Sequence, residues 1–262
     1  MSKNTVIYGL TGFPLGHSFS KAFFTDKFRE EGLDAEYLNF PLETCSREAV
    51  AALIETHPRL RGINVTSPHK RAAFALADTR TPEAEAVGAA NTLRFSRRPE
   101  GDGLFIEAHN TDVEGFREAV RGHIPPGVRA ALVCGTGGAA DAVAVALRSL
   151  GITSLFVSRN PAARPGAIAY REVDAALLAS HALVVNATPL GAFPAVDTCV
   201  SLPFEFMSDR NLCVDLVYNP SETLFMKRAR RAGASALNGA EMLRLQAIAS
   251  YDFWNNFINS QK

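Results

Sequence analysis

Alternation and helical spacing divide the chain into two successive series of strands and helices. Residues 6–10 form a short β-rich run that ends in the turn-forming stretch Gly12-Phe13-Pro14-Leu15-Gly16. A helix is expected from Ser20, with Phe24 and Phe28 four apart on one face and Gly32 closing it. Residues 35–40 alternate apolar and polar like a strand, and Val50, Leu53, Ile54 and His57 fall at i, i+3, i+4 and i+7 as on a helix face. Residues 60–65 read as a further strand, and Pro68 stands where a first helical position is expected. This β-α-β-α-β order makes the first half an α/β layer structure.

The stretch Arg97-Arg98-Pro99-Glu100-Gly101-Asp102-Gly103 is rich in turn formers and is expected to join 92–95 to 104–106 as a hairpin. A helix is expected over about 111–121, followed by a second break at Gly122-His123-Ile124-Pro125-Pro126-Gly127. A new series then begins, with strands expected at 131–134, 154–157, 183–187 and 213–217. No internal repeat is visible, and two α/β units are expected.

The strand at 131–134 runs directly into Gly135-Thr136-Gly137-Gly138-Ala139-Ala140, a G-x-G-x-x-A pattern. The helix after it carries Val143, Leu147 and Leu150 on one face and stops at Gly151, and 154–157 completes the unit. Glycines let the backbone turn sharply and let a pyrophosphate approach the free N–H groups of the helix N-terminus. They also serve tight strand–helix packing, but with strand, helix and second strand in order the pattern favours dinucleotide binding. NAD sites usually carry Asp or Glu at the end of the second strand. Here the chain reads Ser158-Arg159-Asn160-Pro161-Ala162-Ala163-Arg164, with no carboxylate and two guanidinium groups. Arg159 can pair with a 2′-phosphate or be a solvated loop residue; the missing carboxylate favours NADP over NAD.

Three polar clusters mark the first half. Ser18 and Ser20 precede a helix, where Ser20 is either its N-cap or, with Ser18 and the helix N-terminus, part of a pocket for a carboxylate. In Asn64-Val65-Thr66-Ser67-Pro68-His69-Lys70, Thr66 or Ser67 is expected to cap a helix whose first turn holds Lys70. A lysine at the positive end of a helix costs roughly 0.3–1 kcal/mol, so Lys70 is either a solvated surface residue or one placed there for proton transfer. Thr111-Asp112-Val113-Glu114 reads as a capping box with a first-turn acid, and Asp112 is alternatively the partner of Lys70.

Composition narrows the class. The 262 residues carry 27 Lys+Arg and 27 Asp+Glu, so net charge 0 gives no reason to hold nucleic acid or an acidic membrane surface. Hydrophobic residues at 47% suit a folded globule, and no apolar run approaches the roughly 20 residues that cross a bilayer. Residues 1–5 lead straight into the first strand without a signal-peptide core, so a cytoplasmic protein is expected. Cys45, Cys134, Cys199 and Cys213 are scattered and read as buried reduced thiols. The six His are dispersed, with no HExxH, and no metal site is expected. Ser18 lacks the G-x-S-x-G elbow of a hydrolase. Trp254 and the C-terminal aromatics suggest a docking face, while Met242, Leu245, Ala249 and Phe253 suggest the apolar side of the last helix.

Taken together, the motifs resemble the shikimate dehydrogenase family from end to end. Gly12-Phe13-Pro14-Leu15-Gly16-His17-Ser18-Phe19-Ser20 is similar to its G-x-P-x-x-H-S-x-S-P, with Lys21 in place of the proline. Asn64 to Lys70 matches N-V-T-x-P-x-K, Gly88-Ala89-Ala90-Asn91-Thr92 matches G-A-x-N-T, and Asn110-Thr111-Asp112 matches N-T-D. The cofactor turn, Asn186-Ala187-Thr188, Asp215-Leu216-Val217-Tyr218-Asn219-Pro220 and the run from Asn238 to Gln246 follow in family order. The segment around Arg159 departs from the family's N-R-T-x-x-x-R, with Ser158 for Asn and Asn160 for Thr.

The resemblance implies reversible reduction of 3-dehydroshikimate to shikimate by NADPH, with Lys70 and Asp112 as the catalytic pair. It implies that Ser18 and Ser20 hold the substrate carboxylate, with Asn64, Thr66, Asn91, Tyr218 and Gln246 at the ring hydroxyls. Gly135, Thr136, Gly137, Gly138, Ala139, Ser158, Arg159, Asn160, Arg164, Thr188, Leu216 and Gly239 would hold NADP. The implied fold is an N-terminal α/β substrate-binding domain (1–109 with 239–262) and a Rossmann-like, doubly wound NADP-binding domain (110–238), with a cleft between them. Small molecules are the expected partners, as monomer or homodimer. The alternatives are a quinate/shikimate dehydrogenase of broader specificity and a non-catalytic NADP-binding paralogue.

Overall fold

The strands gather into two six-stranded sheets among the described residues, which are 5–15, 19–97, 101 and 103–255 of a computed structural model. Two compact units result, Met1–Thr111 with Ala247–Lys262, and Asp112–Gln246. The chain passes between them at 111/112 and 246/247, where the motifs suggested 109/110 and 238/239.

The first unit contains β1 (Val6–Thr11), α1 (Phe19–Glu30), β2 (Ala35–Phe40), α2 (Arg47–Thr56), β3 (Leu60–Val65), α3 (Lys70–Leu76), β4 (Thr79–Arg80), α4 (Pro82–Val87), β5 (Thr92–Arg97) and β6 (Leu104–His109). Its sheet has the order β2-β1-β3-β5-β6-β4. Strands β1, β2 and β3 are parallel, while β5 is antiparallel to both β3 and β6. Alternation sends Tyr8 and Leu10 to one face, against Phe24, Phe28 and Trp254. Ile7, Leu60, Ile63 and Val65 pack on a second cluster with Val50 and Ala73. Phe24 stacks on Tyr37 with ring centroids 4.7 Å apart. Burying each such ring contributes about 1.5–3 kcal/mol.

Several boundaries differ from the expectation for local reasons. Helix α1 starts at Phe19, so Ser20 is inside its first turn and is not its N-cap. Helix α3 starts at Lys70 with His69 at the cap, which leaves Pro68 in the preceding turn, outside the helix. Helix α5 (Thr111–Arg121) begins at Thr111 itself, so that threonine is not the residue before the helix that a capping box requires. In α9 (Ala240–Asn255) the buried residues are Ala247, Ala249, Ser250 and Trp254, so of the expected stripe Ala249 is buried while Met242, Leu245 and Phe253 are only half-buried. Trp254 is core, not a docking face: it is 3% exposed and its indole Nε1 donates to the Leu93 carbonyl at 3.0 Å.

The second unit is built from α5, β7 (Ala130–Cys134), α6 (Gly138–Ser149), β8 (Thr153–Ser158), β9 (Ile168–Ala169), α7 (Ala175–Ser180), β10 (Leu183–Asn186), β11 (Leu212–Asp215), α8 (Leu224–Arg231), β12 (Ser235–Leu237) and the start of α9. All its strand pairs are parallel, in the order β12-β11-β10-β7-β8-β9. Strands β7, β8 and β9 progress one way and β10, β11 and β12 the other, so the order reverses between β7 and β10. In open parallel sheets that reversal is where ligands bind, at the carboxyl ends of the strands. Strands β10 and β11 stop at Asn186 and Asp215, one and two residues before the expected ends. No helix among the described residues is long and apolar enough to cross a membrane.

Candidate active site

In the first unit the candidate residues cluster at the carboxyl ends of β1 and β3. The Thr66 amide donates to the Thr11 carbonyl at 2.9 Å and the Phe13 amide to the Ser67 carbonyl at 3.4 Å, so the two loops lie side by side. Buried His69 anchors the turn before Lys70, with Nε2 2.7 Å from the Leu42 carbonyl. The half-buried Lys70 is the first residue of α3, and its carbonyl accepts from the Ala90 amide at 2.8 Å. That bond ties the lysine to the Gly88–Thr92 motif.

Behind these loops lies a buried polar network. The Tyr37 hydroxyl donates to Asn64 Oδ1 at 2.8 Å, and Asn64 Nδ2 donates to Ser250 Oγ at 2.9 Å and Thr92 Oγ1 at 3.1 Å. Asn91 Nδ2 donates to Thr111 Oγ1 at 2.9 Å, and Asn91 Oδ1 accepts from the Thr111 amide at 2.8 Å. Thr111 and Thr92 each share a hydrogen bond with the Ser250 hydroxyl. Burial pushes the Tyr37 hydroxyl pKa well above its ordinary range, and Ser20 partly offsets the rise. Asn64 and Asn91, 5% and 3% exposed, thus spend their amides on the protein itself. Ser18, with Gly16 and His17, lies outside the described residues, as do Arg98, Pro99, Glu100 and Asp102 of the expected turn.

In the second unit the glycine-rich turn sits at the reversal of strand order. Gly135 has φ 109, a conformation that favours glycine, and a Cβ there would stand 3.2 Å from Thr188 Cγ2. Gly137 is the N-cap of α6 and Gly138 its first residue, and a Cβ on either would meet open space. Thr136 and Ala139 complete the turn, half-buried. The Ala187 amide donates to the Cys134 carbonyl at 2.9 Å, joining the turn to the end of β10.

Beyond β8 the Asn160 amide donates to Ser158 Oγ at 3.1 Å. Arg159 is exposed, while Arg164 pairs with Asp141 of α6 at 2.5 Å and lies over the Phe156 ring. Of the two guanidinium groups, only that of Arg159 forms no ion pair among the described residues.

A second buried network holds the ends of β10 and β11. Asp215 Oδ1 accepts from Asn186 Nδ2 at 2.9 Å and from the Val217 amide at 3.0 Å, and Oδ2 accepts from Thr223 Oγ1 at 2.5 Å. Burial raises the Asp215 pKa, and these donors partly offset the rise. Thr188 Oγ1 donates to Asn186 Oδ1 at 2.6 Å, so the same network orients Thr188. The Leu216 amide donates to the Asn186 carbonyl at 3.0 Å and the Gly239 amide to the Val217 carbonyl at 3.1 Å. Tyr218 is 44% exposed. Gly115 on α5 touches α9 closely, since a Cβ there would stand 2.8 Å from the Gln246 amide nitrogen. Gln246 and the nearly buried Asp112, one turn before Gly115, are thereby set near one helix crossing.

Nothing in the sequence singled out Thr92 or Ser250, and Thr111 read only as a helix cap, although Thr92 and Thr111 lie inside matched motifs. The cysteines, too, read as equivalent. Cys134 and Cys213 are buried and their thiols are pushed up to about 12 by burial, whereas Cys199 is only half-buried.

Residues 10–93 match the family described as shikimate dehydrogenase substrate binding domain. A shikimate dehydrogenase (NADP(+)) of Oleidesulfovibrio alaskensis is 37% identical, covering 95% of this chain and 89% of its own. A shikimate 5-dehydrogenase from Thermus thermophilus, crystallised with NADP(H) and shikimate, superposes with a TM-score of 0.79 at 33% identity, covering 96% of this chain and 94% of its own. A quinate dehydrogenase from Corynebacterium glutamicum in complex with NAD superposes with a TM-score of 0.81 at 25% identity, covering 96% and 94%. With a two-unit α/β fold, the expected motifs at strand ends and likeness along nearly its whole length, the chain belongs to the shikimate dehydrogenase family.

Proposed function

We propose that this protein catalyses the reversible reduction of 3-dehydroshikimate to shikimate with NADPH. The reading rests above all on its chain-long likeness to the Thermus enzyme crystallised with NADP(H) and shikimate. The second unit fits the cofactor. Open space above Gly137 and Gly138 at the start of a twelve-residue helix leaves room for a pyrophosphate, and the amides there would hold it. Gly135, Thr136, Ala139, Thr188, Leu216 and Gly239 would surround the rest, and the unpaired Arg159 suits a 2′-phosphate. Ser158 and Asn160 shape the Arg159 loop, and Arg164 braces it from Asp141. When bound, NADPH supplies the hydride.

The chain's own part is to hold the acid and move one proton. In this reading Lys70 donates a proton to the substrate's ketone oxygen during reduction and recovers it in reverse, and Asp112 is its catalytic partner. Ser18 and Ser20 bind the carboxylate. Thr66, Tyr218 and Gln246 hydrogen-bond the ring hydroxyls, while Asn64 and Asn91 act through the buried network that fixes the loops. The four free cysteines suit a cytoplasmic enzyme. A second reading, dehydrogenation of quinate, is favoured by the likeness to the Corynebacterium enzyme. Initial rates with shikimate and quinate, each with NADP+ and NAD+, separate the two. The highest kcat/KM is expected for shikimate with NADP+, and a higher value for quinate would reverse the assignment.

A further inference from the structure

Two arginines follow β8, and they are held differently. Arg159 is exposed and forms no ion pair with any described residue. Arg164 is pinned on two sides. Its Nη1 donates to Asp141 Oδ1 at 2.5 Å, and its guanidinium stands 3.4 Å from the centroid of the Phe156 ring. The two side chains of the ion pair are 27% and 18% exposed, so water screens it less than a surface pair. The backbone around Arg164 has bonds of its own. The Arg164 amide donates to the Pro161 carbonyl at 3.1 Å, and the Arg164 carbonyl accepts from the Ala167 amide at 3.1 Å. The turn therefore keeps its shape whether or not the guanidinium is paired.

The carboxylate is placed by the glycine-rich turn. Asp141 lies in the first turn of α6, where the positive end of the helix favours an acid, and its amide donates to the Gly137 carbonyl at 3.0 Å. Arg164 comes from the segment after β8. In dinucleotide-binding folds a phosphate rests on that helix N-terminus, and the end of that strand faces the ribose 2′ position. The ion pair thus joins the two elements that would flank the adenosine ribose. A guanidinium offers the same pair of donors to a carboxylate and to a phosphate, so the two compete for it. Paired with Asp141, the charge of Arg164 is cancelled, and Arg159 is left as the cation for a 2′-phosphate.

We propose that Asp141 is a specificity-determining residue: it holds Arg164 off the 2′-phosphate and so narrows the preference of the protein for NADP over NAD. The inference rests on the NADP reading above and adds to it that the second guanidinium of the loop is withheld. Relieved of Asp141, Arg164 turns to the 2′-phosphate beside Arg159, and the preference widens.

Titration calorimetry of the full-length protein with adenosine 2′,5′-bisphosphate and with adenosine 5′-monophosphate isolates the 2′-phosphate from turnover. Wild type is expected to prefer the bisphosphate, and Arg159→Ala to lose most of that preference. Asp141→Asn should raise the preference about fivefold, the worth of one charge-assisted hydrogen bond in a partly solvated site, with affinity for the monophosphate nearly unchanged. Asp141→Ala, which leaves no amide to retain the arginine, should do the same. In an Arg164→Leu background the gain from Asp141→Asn should shrink to less than about twofold, the residue of a screened charge. An unchanged or lowered preference in both Asp141 variants, or an equal gain with and without Arg164, would overturn the proposal and leave the NADP reading intact. A wild type with no preference for the bisphosphate would remove that reading and the proposal with it.

Discussion

Asn91 and Thr111 hold each other at two points: Asn91 Oδ1 accepts from the Thr111 amide at 2.8 Å, and Asn91 Nδ2 donates to the Thr111 hydroxyl at 2.9 Å. Thr111 is fully buried and opens α5, so the asparagine supplies the partner that the first amide of the helix cannot find within it. Asn91→Ala leaves a buried donor unpaired, which costs roughly 1–3 kcal/mol. Urea unfolding should show that loss with or without ligand, and an unchanged midpoint would mean that water replaces the bond.

Lys70→Ala should leave stability within about 0.5 kcal/mol, because the side chain is half-buried and supports no core cluster. Its kcat should fall by roughly 10²–10⁴, the usual worth of a positioned proton donor. Shikimate KM should change far less than kcat. A rise in KM with kcat intact would make Lys70 a binding residue instead.

Gly115→Val puts a branched side chain where even a Cβ would stand 2.8 Å from the Gln246 nitrogen and the Met242 carbonyl. Overpacking of this kind costs about 1–3 kcal/mol. Because Gln246 is displaced with the α9 backbone, shikimate KM should rise along with the loss in thermal midpoint. A loss of stability with wild-type KM would dissociate the helix crossing from the substrate.

Asp215 gives a pH signature whose sign is set by burial. Its folded pKa is raised above the ordinary 3.8, so the folded state holds the proton more tightly than the unfolded state. Its favourable contribution is full below 3.8 and is lost as pH rises through the folded pKa. Asp215→Asn cannot titrate, so the stability difference between variant and wild type should shift in favour of the variant across that window. Urea midpoints taken from about pH 4 to 7 check this; a difference that stays constant would show that Asp215 titrates alike in both states.

Local pattern carried much of the fold. The alternation in β2, the apolar face of α2 and the strand–glycine–helix order around Gly135 are written within a dozen residues each, and the structure has them there. The two-residue strands β4 and β9 have no period to read. Ser20 resembled a helix cap because serine often is one, but α1 begins one residue earlier, at Phe19, and takes Ser20 into its first turn. Ser250 was invisible to local pattern, since it meets Asn64 across 186 residues of chain. Arg164 was legible as a cation near the cofactor turn, while its pairing with Asp141 depends on how α6 packs beside β8.

Arg159 carries the preference between cofactors in this account. Removing the guanidinium in Arg159→Ala should raise KM for NADP+ at least tenfold and leave KM for NAD+ nearly unchanged. Equal effects on both cofactors would place Arg159 away from the 2′-phosphate.

The central claim is tested most directly by the initial rate at which reduced nicotinamide appears when the purified protein is given shikimate and NADP+. Saturable turnover is expected from the wild type, with a loss of at least a hundredfold in Lys70→Ala at the same protein concentration. Absence of turnover with shikimate or quinate and either nicotinamide cofactor, or full turnover in the Lys70→Ala variant, would contradict it.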